Sequence, residues 1–137
     1  MLAIIKEPID INAFLSHVES PSHGAICSFL GVVRDHHNGH SVQRIEYHCY
    51  EAMAIKMLAR IESEIHEKFP DVKVVLVHRI GMVELQEASV LVLCGSAHRK
   101  DAYAANIYAM DRIKQILPIW KKEFHPDGES SWVGIGS

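Results

Sequence analysis

Two prolines frame this chain. Pro70 and Pro118 each close a stretch whose apolar residues repeat at helical spacing, and each is followed by a run patterned as strand. In the first stretch Ala54, Leu58, Ile61, Ile65 and Phe69 recur three and four residues apart, which predicts a helix over 51–69. In the second, Ala102, Ala105, Ala109, Ile113 and Ile116 share one face, and their small size predicts close packing. A shorter helix is expected after Asp10, a capping residue, with Ile11, Phe14, Leu15 and Val18 on its apolar side. The β-branched and apolar runs 25–33, 41–50, 72–80, 88–94, 119–124 and 130–135 read as strands. Gly31 marks a bulge or a close backbone approach inside the first of these. Asn38-Gly39 predicts a turn at the tip of a long hairpin joining 25–33 to 41–50, and Pro126-Asp127-Gly128 predicts a second hairpin. Residues 82–87 carry no clear turn signal. The resulting order, α-β-β-α-β-β-α-β-β, predicts an α+β domain with mostly antiparallel strands and about three helices.

Charge is distributed unevenly along this frame. Between residues 95 and 123 stand Arg99, Lys100, Arg112, Lys114, Lys121 and Lys122 against Asp101, Asp111 and Glu123, while the whole chain carries −3. A cationic island on an acidic body predicts a small anionic ligand held locally, and the net charge argues against nucleic-acid binding. With 137 residues and neither linker nor low-complexity segment, residues 1–137 are expected to form one domain. No apolar run approaches the ~20 residues of a membrane span, and the apolar start before Lys6 is too short for a signal peptide. Cys27, Cys49 and Cys94 are isolated, which fits reduced thiols in a cytoplasmic protein.

The helix start near His98, Arg99 and Lys100 is the first candidate site. Free N–H groups and the positive dipole end favour an anion there, Ser96 is placed to cap, and the cations oppose the dipole. Lys114 and Lys121 bracket Pro118. If the chain turns at Leu117-Pro118 and runs back as a strand, both amines reach one pocket wall, with Lys121 sharing its strand face with Ile119 and Glu123. Two crowded ammonium groups lower each other's pKa, and a lysine so lowered works as acid, base or nucleophile near neutrality. Arg34, at the mouth of the loop 34–40, is placed for a ligand contact. That loop holds His36, His37 and His40, but adjacent histidines on a tip lack the convergent spacing of a metal site, so no metal is expected. Solvated lysines and a rim arginine are the plainer alternative for all of these positions.

Several blocks together carry a resemblance. Gly31-Val32-Val33-Arg34, Val77-His78-Arg79-Ile80-Gly81, Ser96-Ala97-His98-Arg99, Ile113-Lys114 and Pro118-Ile119-Trp120-Lys121-Lys122-Glu123 closely resemble the large, catalytic subunit family of molybdopterin synthase, in register from Gly24 to Val133. The resemblance implies an α+β hammerhead fold and a sulfurtransferase reaction in molybdenum-cofactor biosynthesis. A small ubiquitin-like carrier subunit brings a C-terminal Gly-Gly thiocarboxylate, and two such sulfurs are placed on cyclic pyranopterin monophosphate to form the dithiolene of molybdopterin. It implies Lys114 and Lys121 as catalytic residues. Arg34, His98 and Arg99 fall on substrate-binding positions, with Lys122 and Glu123 adjoining and Val32 and Val33 beside them. A homodimer within a heterotetramer is implied, with pockets drawing on both protomers, and no bound cofactor. The sequence departs from the family at Leu85-Gln86-Glu87, where a Pro-Gly-Asp/Glu turn is usual, and it stops soon after Trp132, where relatives often continue with a charged tail. The rival readings are a non-catalytic module for a phosphorylated metabolite or ubiquitin-like partner, and a His-loop metallohydrolase.

Overall fold

The computed structural model describes residues 1–134. Ten strands and two long helices follow one another, with two single-turn 3-10 segments near the start. The order is β1 (Leu2–Ile5), the 3-10 turns Ile11–Ala13 and Leu15–His17, β2 (Ala25–Val32), β3 (His36–His37), β4 (His40–Ser41) and β5 (Arg44–Cys49). Then come α1 (Glu51–Lys68), β6 (Lys73–Arg79), β7 (Gly81–Glu84), β8 (Ala88–Ser96), α2 (Arg99–Ile116), β9 (Ile119–Phe124) and β10 (Ser130–Val133). One sheet runs β1-β6-β8-β2 and another β10-β9-β5-β7, with β3-β4 a small ribbon of its own. Every pairing is antiparallel except β1 with β6. The α+β class and the antiparallel character are as the sequence predicts. No helix among the described residues is long and apolar enough to cross a membrane.

The central strands of the first sheet, β6 and β8, are buried on both faces, which is why they are unbroken apolar runs instead of alternating ones. One face, with Val74, Leu76, Val90 and Val92, packs on Ala54, Leu58, Ile61 and Ile65 of α1 and on Ala105, Ala109 and Ile113 of α2. The other face, with Val75, Val77, Leu91 and Leu93, is covered by Val18 and the apolar residues of the 3-10 segment. The alanines of α2 let it lie close on β2 and β8. Buried Asn106 donates from Nδ2 to the carbonyls of Cys27 (3.0 Å) and Val92 (3.1 Å), tying the helix to both strands.

Four local expectations change. The helix expected after Asp10 is two 3-10 turns; Asp10 does cap the first, accepting from the Asn12 N–H at 3.1 Å. The four apolar residues at the start form β1, parallel to β6, a pairing invisible to a local reading because its partner lies about seventy residues on. Strands 25–33 and 41–50 do not form a hairpin: β2 pairs with β8, while β5 sits between β7 and β9. A register shift at Gly31/Val32 interrupts the pairing of β2 with β8 just before β2 ends, and a Cβ on Gly31 would lie 2.6 Å from Val90 Cγ1. Gly31 is therefore both bulge and close approach. Residues 82–87 supply β7 and a turn in which Gln86 takes φ 68, the left-handed conformation that Gly usually fills. The terminal hairpin forms as β9–β10; the expected extension to Ile135 lies outside the described residues.

Candidate active site

Lys114 stands in the last turn of α2, where a cation is favoured by the helix dipole. Leu117 leaves the helix with ψ 122, Pro118 follows, and β9 starts at Ile119. Strand alternation then sets Lys121 and Glu123 inward, beside Tyr47 and Ile45 of β5, and turns Trp120 and Lys122 away. Both lysines line two adjoining hollows, which share Tyr47, Ser89, Val90 and Met110. The inner one is lined by His78 and Ile113. The outer opens past Val32, Val33, Arg34, His37 and Glu123. The expected convergence of the two amines beside Pro118 is thus present within a single chain.

The cleft mixes charge with neutral polar groups. Lys114 is exposed to the open space of the cleft, yet the walls around it desolvate its amine. That desolvation, with the Lys121 charge second, lowers its pKa from the ordinary lysine value. Lys121 lies more enclosed, with Nζ 3.6 Å from Glu123 Oε2. Glu123 is almost fully buried, and its carboxylate is met from the other side by His37 Nδ1, 3.2 Å from Oε1 and 2.9 Å from Oε2. Only Oε1 receives a well-directed hydrogen bond; Oε2 is compensated by charge alone. Burial pushes the His78 pKa down to about 4, with a smaller contribution from Lys114, so this imidazole is neutral at pH 7. The Arg79 carbonyl, 2.8 Å from Nδ1, fixes the proton there. Burial raises the Tyr47 pKa, with a hydrogen bond to Ser89 partly offsetting it. The Tyr47 ring meets His78 edge-on at 5.2 Å.

The other expected residues fall elsewhere. His98 is the N-cap residue of α2, in extended conformation and without a side-chain capping bond, and Arg99 opens the helix beside Tyr103 and the start of β2. Ser96 is the last residue of β8, and its hydroxyl donates to the His98 carbonyl instead of capping. The fifteen steps from Arg99 to Lys114 span about 22 Å of helix, so one chain does not bring these cations together. Lys122 lies over the rings of Phe124 (5.4 Å) and Trp132 (5.7 Å) on the outer face. Arg112 forks onto Glu64 of α1 at 2.8 and 3.1 Å, which holds the Glu64 carboxyl down at about 2. The cationic island of the sequence is therefore four separate groups in space. Arg79 is structural: it reaches the carbonyls of Lys6 (3.3 Å) and Met82 (3.2 Å) and lies 3.4 Å from Glu87.

Tyr47, His78, Ser89 and Met110 carry no site role in the sequence, although His78 stands in one of the blocks that mark the resemblance. One signal was available: a histidine inside the apolar run of β6 must be buried, and a buried histidine needs a reason. Among the described residues no group of three or more His, Cys, Asp and Glu converges as metal ligands.

Comparison with known proteins finds relatives along most of the chain. The family model described as "MoaE protein" matches residues 4–116. The molybdopterin synthase catalytic subunit of Bacillus subtilis is 48% identical over 131 residues, covering 96% of this chain and 83% of that protein. The crystal structure of molybdopterin synthase from Staphylococcus aureus superposes with a TM-score of 0.91 at 44% identity, covering 96% of this chain and 95% of that one. A Helicobacter pylori structure, described as a complex of subunits 1 and 2 of molybdopterin-converting factor, shares the fold with a TM-score of 0.78 at 23% identity, covering 97% and 88%. The chain belongs to the MoaE family of molybdopterin synthase catalytic subunits.

Proposed function

We propose that this chain carries out the sulfur-transfer step of molybdopterin synthesis. It takes sulfur from the C-terminal Gly-Gly thiocarboxylate of a small ubiquitin-like carrier and places it on cyclic pyranopterin monophosphate. The observation that carries the reading is the meeting of Lys114 and Lys121 in one cleft, with the Lys114 amine shifted toward its neutral form. Both reactants are anionic, and two ammonium groups at the cleft draw them together. The thiocarboxylate sulfur bonds to a substrate carbon as that carbon's bond to oxygen breaks. One sulfur displaces an oxygen of the cyclic phosphate and so opens it, and the other displaces an oxygen that leaves as water. Each gives a thioester between carrier and pterin. Water then attacks the carbonyl carbon, the C–S bond breaks, the carrier leaves as a carboxylate, and the sulfur stays on the pterin. Lys114 moves the proton and steadies the acyl-sulfur adduct, while Lys121, held by Glu123, keeps positive charge beside it. Arg34, exposed at the outer rim, receives the phosphate.

His98 and Arg99 reach a lysine cleft only from a second copy of the chain, given the length of α2. A homodimer that pools the amino end of one α2 with the carboxyl end of another completes the site, and one carrier on each protomer makes the heterotetramer. A fold neighbour is described as a complex of two different subunits, which fits a chain that works with a second subunit. Residues 1–137 act as one domain, and the three free cysteines fit the reducing cytoplasm.

The test is incubation of the chain with thiocarboxylated carrier and cyclic pyranopterin monophosphate, followed by assay for the dithiolene. Wild type forms product; Lys114→Ala binds carrier but loses turnover by about 10²–10⁴-fold. Carrier binding without product in the wild type supports the non-catalytic module instead.

A further inference from the structure

Neighbouring histidines in the loop after β2 have opposite fates. His36 and His37 form β3, and strand alternation turns their side chains to opposite faces. The His36 side chain is 65% exposed and bonds Asp35 at 2.8 Å. The His37 side chain is 18% exposed and reaches across 86 residues of sequence to Glu123, itself 4% exposed. The loop that aims it is built for the purpose. Asn38 and Gly39 take φ 50 and 80, the left-handed pair that closes a two-residue hairpin between His37 and His40. The Val42 N–H donates to the Asp35 carbonyl at 2.8 Å, and His125 Nδ1 reaches the Ser41 carbonyl at 2.7 Å. These bonds fasten both shoulders of the ribbon.

We infer that His37 is a positioning residue for the sulfur transfer: its Nδ1–H holds the Glu123 carboxylate in the geometry that fixes the Lys121 ammonium in the cleft. This rests on the sulfur-transfer reading above. The chain of contacts is short. His37 Nδ1 donates to Oε1, Oε2 lies 3.6 Å from Lys121 Nζ, and Lys121 in turn is one of the two influences that lower the Lys114 amine. Glu123 needs the imidazole because its Oε2 has no directed hydrogen bond. Without a donor on Oε1, the buried carboxylate swings to solvate itself, and Lys121 moves with it. His37 does not touch the reacting atoms. It sets where a charge stands beside them.

The test exploits the identity of the nitrogen. Asparagine places its amide N–H where Nδ1 lies, whereas glutamine places it where Nε2 lies. His37→Asn should keep turnover within about 3-fold of wild type, and His37→Gln should lower kcat about 10-fold with the KM for carrier unchanged. Both variants are polar at a partly exposed ribbon position, so both should fold, and equal melting temperatures separate a positioning effect from a loss of stability. Equal kcat in His37→Asn and His37→Gln, or a fall that tracks melting temperature, overturns the inference. A wild type that makes no dithiolene overturns instead the reading on which it rests.

Discussion

At its amino end α2 presents Arg99 and Lys100 to water, opposing the helix dipole, with only Asp101 in the first turn to compensate. At its carboxyl end Lys114 agrees with the dipole but is crowded by Lys121 and desolvated by the cleft. The same side-chain charge is thus costly for opposite reasons: local dipole repulsion at one end, loss of water and a like neighbour at the other. The first cost is relieved by an anion arriving at free N–H groups, the second by losing a proton. One end is suited to binding, the other to chemistry, and about 22 Å of helix keeps them apart in a single chain.

The sharpest way to break this division is to damage one end per copy. Lys114→Ala and Arg99→Ala homodimers should each lose most activity, the first by about 10²–10⁴-fold. Mixed dimers should regain one intact site, so random pairing restores about a quarter of wild-type turnover. No recovery on co-expression, with mixed dimers verified by mass, would show that each chain uses only its own residues.

A smaller effect is expected from unseating the helix between its ends. Asn106→Ala removes the donor shared by the Cys27 and Val92 carbonyls and should cost about 1–3 kcal/mol in chemical denaturation. Turnover per folded molecule should also fall, since both ends shift together. An unchanged denaturation midpoint would remove Asn106 as the tie between α2 and the sheet.

The smallest effect has an informative sign. The folded-state pKa of Lys114 is lowered, so above that value and below the ordinary lysine value the unfolded chain binds more protons, and stability rises with pH. Below the lowered value the strain of a charged, crowded amine is constant. Lys114→Met should therefore raise the melting temperature at pH 7 while abolishing turnover. The gain should be less than about 1 kcal/mol, because the amine still faces solvent in the cleft. Arg99→Met offers a control at the other end, with a gain from relieved dipole repulsion that shrinks in high salt. A lower melting temperature for Lys114→Met would mean that the cleft welcomes the charge.

Much of this was readable in the chain. The apolar spacing of α1 gives its four buried residues, Ala54, Leu58, Ile61 and Ile65. The proline between Lys114 and Lys121 gives their convergence, because a helix end and a returning strand share one corner. What could not be read is whatever depends on distant pairing. Arg112 counts as a free cation in sequence until Glu64, 48 residues away, takes it. His36 and His37 look equivalent until β3 turns them apart. Strand β2 was expected to pair locally with β5, because sequence nearness favours hairpins. The closer affinity was with β8, a buried apolar strand that gives all of β2 a partner.

The sheet order β1-β6-β8-β2 has a consequence during synthesis. A chain made from its amino end produces both flanking strands of that sheet before either of the central strands exists. Until β6 and β8 emerge, β1 and β2 have no partner strand in this sheet, and their backbone edges stay open. Both outer strands therefore wait for most of the chain to be made, and the sheet cannot close before residue 96 clears the exit tunnel.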